Sequence, residues 1–478
     1  MSHARRTRDL FTLLFALYLI GLILWKTALW LHLPLPTTDG VQSLSHTYSL
    51  LRGTPLLSSL WHNWMAIYQL PYGFGAVTAL MMALLPFGTL HSYFAASLLF
   101  ALASAAAAWL LLRSGRGADR VSSATAALAV FVYPSLWMMR PEALTAPLLM
   151  LALTLIARSD DQPSRWTISA VGFLVAFSGI AHPLAGVIGA IALTAAALEW
   201  GWRLRALIGA YTAVGLFAAA LYLPVILVDA DQWSRNFLGF FTREEPRGLS
   251  SLTSLDADAA RFLGWGAPLV ILYGRTLLQQ PPRRLLREAA LALLFALPIL
   301  VGGGGSYFTY LIVLLVWRLT ALPDSSRPRL ALAGALLFIL PFFSHYFPTF
   351  QNLENPRYGE TARAVLAEID TYSGRTEPGL VWTSVRLALP IIDEPYARVI
   401  ANYYELGRYP SPIPVRSEDV LLSMWADEAR TIFINYDLDP QTARTEMIIA
   451  PVDGLLTFES LLRARLPALG LWRITAGG

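Results

Sequence analysis

The chain is a succession of long apolar stretches separated by short loops rich in arginine, and that alternation restricts it to one class of fold. The apolar stretches run 11–32, 66–86, 92–112, 121–139, 143–157, 167–181, 184–199, 206–228, 262–279, 289–304, 306–321 and 329–346. A helix crossing a bilayer needs about twenty apolar residues, because hydrocarbon offers no partner to an unpaired backbone group. Composition agrees: 55% of the residues are hydrophobic and 14% charged, where a soluble domain carries about a quarter charged. The sequence therefore describes a polytopic membrane protein, all-α in its membrane part. It has no cysteine, which excludes a disulfide framework, a thiol nucleophile and a cysteine zinc site. The net charge of +4 comes almost wholly from arginine, Lys26 being the only lysine. This basic excess lies in short loops between apolar stretches, a topology signal, and no nucleic-acid partner is expected.

The arginine-rich loops are 4–8, 113–120, 158–165, 203–205, 283–287 and 318–329. If all of them face the cytoplasm, only one of the stretches 66–86 and 92–112 crosses. The second is uninterrupted, whereas the first carries Pro71, Gly73, Gly75 and Pro86. The crossing is assigned to 92–112, and 66–86 is expected at the outer interface. About eleven spans result, with the N-terminus cytoplasmic and the C-terminus outside. The basic start precedes an apolar run too long for a signal peptide, with no small-residue cleavage site after it, so the first span is expected to stay uncleaved. The outer segments are a large first loop, 33–91, the turns at Arg140, His182-Pro183 and Gly302–Gly305, the loop 229–260, and everything after 347. Trp30, Trp61, Trp64, Trp137, Trp166, Trp200, Trp202 and Trp317 fall near span ends, where an interfacial belt is expected. Past 347 the composition changes. Helices over 361–371 and 457–466, and strands over 379–385, 431–436 and 446–451, predict a small α/β domain outside the membrane. The chain thus reads as a membrane domain, 1–346, and an extracytoplasmic domain, 347–478.

With so much hydrocarbon, the polar residues at outer span ends carry the functional reading. Asp39 stands in Thr37-Thr38-Asp39-Gly40. It suits an N-cap for the polar helix 40–52, and a capping carboxylate also points out of the helix toward a ligand. Glu142 stands in Met139-Arg140-Pro141-Glu142. Proline at the first helical position and an acid just after it are both favoured there. Arg140 is not, since a cation opposes the helix dipole; an anionic ligand explains it, and so does an ion pair with Glu142 or Asp39. Arg243 and Arg247 lie in the outer loop 229–260 and can grip a phosphate in bidentate fashion or be plain solvated residues. Gly302-Gly303-Gly304-Gly305-Ser306-Tyr307 is an amide nest or a tight turn. Tyr307 and Tyr310, one turn apart, share a helix face. His46, His62, His182 and His345 lie outside the spans with no metal-ligand spacing.

These parts suit transfer of a sugar from a lipid phosphate. The phosphate leaves without protonation but needs cations or donors for its developing charge. The acceptor hydroxyl needs one base. A hydrolase acting on a neutral glycoside would need two carboxyl groups working together.

The order of these motifs resembles the membrane-embedded C-type glycosyltransferases, the superfamily of protein O-mannosyltransferases and lipid A aminoarabinose transferases. A first span leads to Thr38-Asp39-Gly40, then a polar helix ends in Leu50-Leu51-Arg52-Gly53-Thr54-Pro55. The stretch Gln69-Leu70-Pro71-Tyr72-Gly73 follows, then a span ending in arginines, then Arg140-Pro141-Glu142. The resemblance covers the membrane part and only weakly the last hundred or so residues. It implies a GT-C-like fold and an inverting transfer from a polyprenyl-phosphate sugar to a cell-envelope acceptor, a glycan, lipid or protein, at the outer face of a bacterial inner membrane. It makes Asp39 the base and Glu142 an acid that shapes the site. Arg140, Arg243, Arg247, Tyr307 and Tyr310 then fall to the donor phosphate, and His46, Arg52 and His182 to the substrates. No metal ligand is assigned, though the family leaves room for a divalent cation. The chain departs from the pattern in having Asp-Gly where the family often has Asp-Glu, a lone Pro71 for a double proline, and no prolines after the late tyrosines. A transporter or flippase for a lipid-linked glycan, and a non-catalytic membrane subunit, are the competing readings. A transporter is expected to carry ionisable groups near the midplane, and these spans are nearly free of them.

Overall fold

The computed structural model describes residues 72–87, 89–115, 120–133, 136, 139–228, 230, 234, 266, 269–270, 273–274, 277, 280–302 and 307–320, and five strands between 380 and 476. The chain divides into two compact units, Met1–Thr27 with Leu70–Phe74 and Ala95–Thr349, and Ala28–Gln69 with Gly75–Phe94 and Phe350–Gly478.

Among the described residues the helices are α1 Tyr72–Leu84, α2 Thr89–Ser114, α3 Arg120–Val132, α4 Pro141–Arg158, α5 Arg165–Ala181, α6 Pro183–Glu199, α7 Leu204–Val228, α8 Pro282–Gly302 and α9 Phe308–Leu319. They fall on the apolar stretches expected to be helical, with differences at the ends. Helix α3 stops at Val132, short of the expected 139, because Pro134 brings no N–H to continue the ladder and disfavours helical backbone at the residue before it. Helix α8 begins at Pro282, ahead of the apolar run, and so takes in Arg283, Arg284, Arg287 and Glu288. The stretches 11–32 and 329–346 and most of 262–279 lie outside the described residues.

Among the described residues three segments are long and apolar enough to cross a membrane: His91–Ser114, Pro141–Arg158 and Leu204–Pro224. Helices α5, α6 and α9 are apolar and shorter. Large apolar side chains face outward from α7, among them Leu204, Ile208, Leu216 and Leu227, and from α8, Leu286 and Leu293. Such faces suit a lipid surround, and together with the long apolar helices they are those of a membrane protein.

Helices α4, α5 and α6 pack against one another, α7 lies on α5, and α9 packs on α4 and α8. Small residues set the closest approaches. A Cβ on Gly186 would come 2.9 Å from Gly179 Cα, and one on Gly172 would collide with Ala213 Cβ, so α5 meets both α6 and α7 almost backbone to backbone, as membrane helices do where small residues face. Two expected belt tryptophans are interior instead. Trp202 is buried and its indole N–H donates to Ser159 Oγ at 2.8 Å. Trp317 is buried beside Phe295, ring centres 6.3 Å apart. Both found polar or aromatic partners inside the protein, while Trp166, 81% exposed, sits as the belt requires.

In the second unit five strands form one mixed sheet: β1 Leu380–Ser384, β2 Val399–Asn402, β3 Val420–Trp425, β4 Ala443–Ile449 and β5 Leu469–Ala476. Their order is β2-β1-β3-β5-β4, with β1 parallel to β2 and β3, and β5 antiparallel to β3 and β4. Strand β1 coincides with the expected 379–385 and β4 overlaps 446–451. The sequence patterns did not single out β2, β3 or β5. The expected strand 431–436 and helices 361–371 and 457–466 lie outside the described residues.

Candidate functional site

The polar residues at the start of α4 are placed by a proline. Pro141 is the first helical residue and forces Arg140 before it into extended backbone, φ −123° and ψ 156°. Glu142 then sits in the first turn, where the exposed amides and the helix dipole favour a carboxylate. Arg140 Nε donates to Glu142 Oε2 at 3.3 Å. The pair is asymmetric: the Glu142 side chain is fully buried, while 22% of the Arg140 side chain stays accessible. The ion pair raised by the sequence as an alternative role for Arg140 is therefore present.

A second proline places His182. It ends α5 and begins α6 as a single extended residue, with Pro183 at the first position of α6. Its N–H donates to Ser178 O at 2.8 Å, and its carbonyl accepts from Ala185 N at 2.9 Å. The imidazole is buried. Burial pushes its pKa down to about 4; Arg140 adds to the fall and the Glu142 carboxylate opposes it. At neutral pH it is an uncharged ring with one donor and one acceptor nitrogen.

The third contribution comes from α9. The Tyr307 ring lies 5.6 Å from that of His182, inclined at 61°, and 6.5 Å from that of Tyr310, nearly parallel at 14°. This is the shared face that their spacing implied. Tyr310 is fully buried, and its hydroxyl pairs with Thr145 Oγ1 at 3.4 Å. Thr145 follows Glu142 by one turn on α4 and was not anticipated.

Arg140, Glu142, His182, Tyr307 and Tyr310 thus meet at one end of the helix bundle, although they come from three separate parts of the chain. Such a cluster offers one accessible guanidinium, phenolic and hydroxyl donors, and low-dielectric walls that strengthen each interaction. It can hold an anion beside an apolar body. Asp39, His46, Arg52, Arg243 and Arg247 lie outside the described residues. Among the described residues no group of His, Asp and Glu is arranged to hold a metal ion.

A second polar cluster lies at the other end of α6 and α9. Arg318 donates through Nε and Nη2 to the two oxygens of Glu288, at 2.9 and 2.8 Å, and through Nη1 to Glu199. Arg287 Nη2 reaches Glu199 Oε2 at 3.0 Å, and the Tyr273 hydroxyl donates to Glu288. The Arg318 guanidinium also lies 5.1 Å from the centre of the Trp317 ring. Sequence reasoning used these arginines only as topology markers. The available signal was an acid at the end of one apolar stretch, Glu199, and another among arginines, Glu288.

No protein-family model and no curated protein sequence matches the chain. Among solved structures it is similar to the oligosaccharyltransferase of Archaeoglobus fulgidus, crystallised with zinc and sulfate. The TM-score is 0.39 at 11% identity, over 88% of this chain and 69% of that one. At that TM-score the two folds are not equated.

Proposed function

We propose that the chain is a membrane glycosyltransferase of the C type, moving a sugar from a polyprenyl-phosphate donor to an acceptor of the cell envelope at the outer face of a bacterial inner membrane. The supporting observation is the cluster in which Arg140, held by buried Glu142, stands with His182, Tyr307 and Tyr310 at one end of an apolar bundle. The acceptor hydroxyl attacks the anomeric carbon from the face opposite the phosphate and the configuration inverts. Asp39, assigned from the sequence, takes the hydroxyl proton. The bond from the anomeric carbon to the phosphate oxygen breaks with its electron pair on the phosphate. Arg140 and the tyrosine hydroxyls stabilise that charge. Glu142 keeps Arg140 in place and takes no proton.

The test is turnover of purified protein on a polyprenyl-phosphate sugar, with Asp39→Asn as its control. Asparagine caps a helix about as well as aspartate but cannot act as a base. Transfer is expected to fall about a hundredfold or more with folded yield unchanged. Full activity in Asp39→Asn removes Asp39 from the mechanism. No transfer by the parent, together with envelope glycans and lipids that are unchanged by mass spectrometry in a strain lacking the protein, leaves the non-catalytic subunit as the function.

A further inference from the structure

Helices α6 and α9 share two features at opposite ends. Where they begin, the residue before α6, His182, meets the residue before α9, Tyr307. Where they finish, Glu199 of α6 meets Arg318 of α9. Tyr307 and Arg318 are separated by eleven residues, about 16 Å along a helix, so the second contact touches nothing in the first. Arg318 is 7% accessible and Glu288, from α8, 10%.

We infer that Arg318, through Glu199 and Glu288, fixes the axial register of α9 against α6 and α8 and so positions Tyr307 and Tyr310 beside His182 and Glu142. Three features carry this. The guanidinium is engaged on three nitrogens by two carboxylates from two different helices. A planar fork satisfied in that way tolerates one placement along the axis, whereas leucine and valine packing along α9 tolerates several. The partners are themselves tied down, Glu288 by Tyr273 and Glu199 by Arg287. A slip of α9 by one turn, about 5.4 Å, would break the fork and carry Tyr310 out of reach of Thr145. Arg318 is thus a positioning residue, acting through the tyrosines, and its role in binding rests on the function proposed above.

The chain's lack of cysteine makes the test direct. Val187→Cys on α6 and Leu311→Cys on α9, near the His182 end, are spin-labelled in full-length protein in lipid nanodiscs, and their separation is measured by double electron–electron resonance. A control pair, Trp166→Cys and Leu216→Cys, reports α5 against α7. In Arg318→Lys, which keeps the charge but loses the fork, the α6–α9 distance is expected to shift or broaden by several ångströms while the control pair stays fixed. Glu288→Gln, a milder change that keeps a partner for Tyr273, should do the same to a smaller degree. Polyprenyl phosphate, added as the probe, should bind at least fivefold more weakly to both variants. An unchanged α6–α9 distance in folded variants overturns the positioning role. So does equal loosening of both pairs, or failure of both variants to fold, since each reduces the network to general stability. If the parent itself does not bind polyprenyl phosphate, the proposed function fails, and the label distances still decide the positioning role.

Discussion

The two polar ends of the first unit hold charge in different ways. At the Arg318 end the guanidinium is almost sealed and two carboxylates answer it. At the Arg140 end a buried carboxylate answers an arginine that keeps 22% of its side chain accessible, and His182, Tyr307, Tyr310 and Thr145, the other described groups placed in this cluster, are neutral. A closed network satisfies itself and stabilises one arrangement of helices. An accessible cation backed by a buried anion and ringed by neutral donors is suited to meet a ligand. Burial is costly for both, and at the Arg318 end two carboxylates from two helices offset it.

The largest effect expected to follow from this contrast is at the closed end. Arg318→Met leaves Glu199 and Glu288 without their main counter-charge in a site with little water. Stability should fall by roughly 3–5 kcal/mol, measured as thermal unfolding of the purified protein. A loss under about 1 kcal/mol would place the network among ordinary surface pairs and erase the contrast.

The accessible end should respond to pH. The folded pKa of His182 lies near 4, below the ordinary 6.5, so between these values the unfolded chain binds more protons than the folded one. Stability therefore rises with pH through that window and is lost as pH falls from about 6.5 toward 4, by up to about 1.4 kcal/mol per pH unit. Unfolding curves of parent and His182→Gln across that range check it: the difference between them should grow toward acid. A parallel pair of curves means that His182 does not titrate where its burial says it must.

A smaller effect is expected from Arg140→Lys. The charge stays, but the guanidinium fork that pairs with Glu142, and that the proposed function assigns to the donor phosphate, is lost. Binding of polyprenyl phosphate should weaken about tenfold, equivalent to about 1.4 kcal/mol, with a stability change below that. The reverse pattern, a stability loss with unaltered binding, would turn the Arg140 end into a second structural network. The smallest effect belongs to Thr145→Val. It removes the partner of the Tyr310 hydroxyl and should cost about 1 kcal/mol of stability and leave the Arg318 end untouched.

What could be read from the sequence depended on how local its cause was. Arg140-Pro141-Glu142 and His182-Pro183 were legible because proline dictates the backbone on both sides of itself, whatever the rest of the fold does. The common face of Tyr307 and Tyr310 was legible because helix geometry is periodic. The meeting of these segments rested on topology, inferred from where the arginines lie. The Arg318 network was not legible: Glu199 and Glu288 stand 119 and 30 residues away from it, and a charge in a loop does not say which helix end will answer it. Trp202 and Trp317 were misread for the same reason. Tryptophan at a span end is usual at a lipid interface, and only tertiary packing turned these two inward. For β2, β3 and β5 the runs of four to eight residues were too short and uneven to show a strand period.

The connection between α5 and α6 has a consequence for ligand affinity. One residue, His182, belongs to both helix ends, so no loop exists there to be ordered when something binds. The conformational entropy of that segment is given up during folding, and a ligand meeting the imidazole and its neighbours finds them already fixed. Affinity at such a preorganised wall is governed by fit: a well-matched headgroup keeps nearly all of its interaction energy, and a poorly matched one finds nothing that can adapt to it.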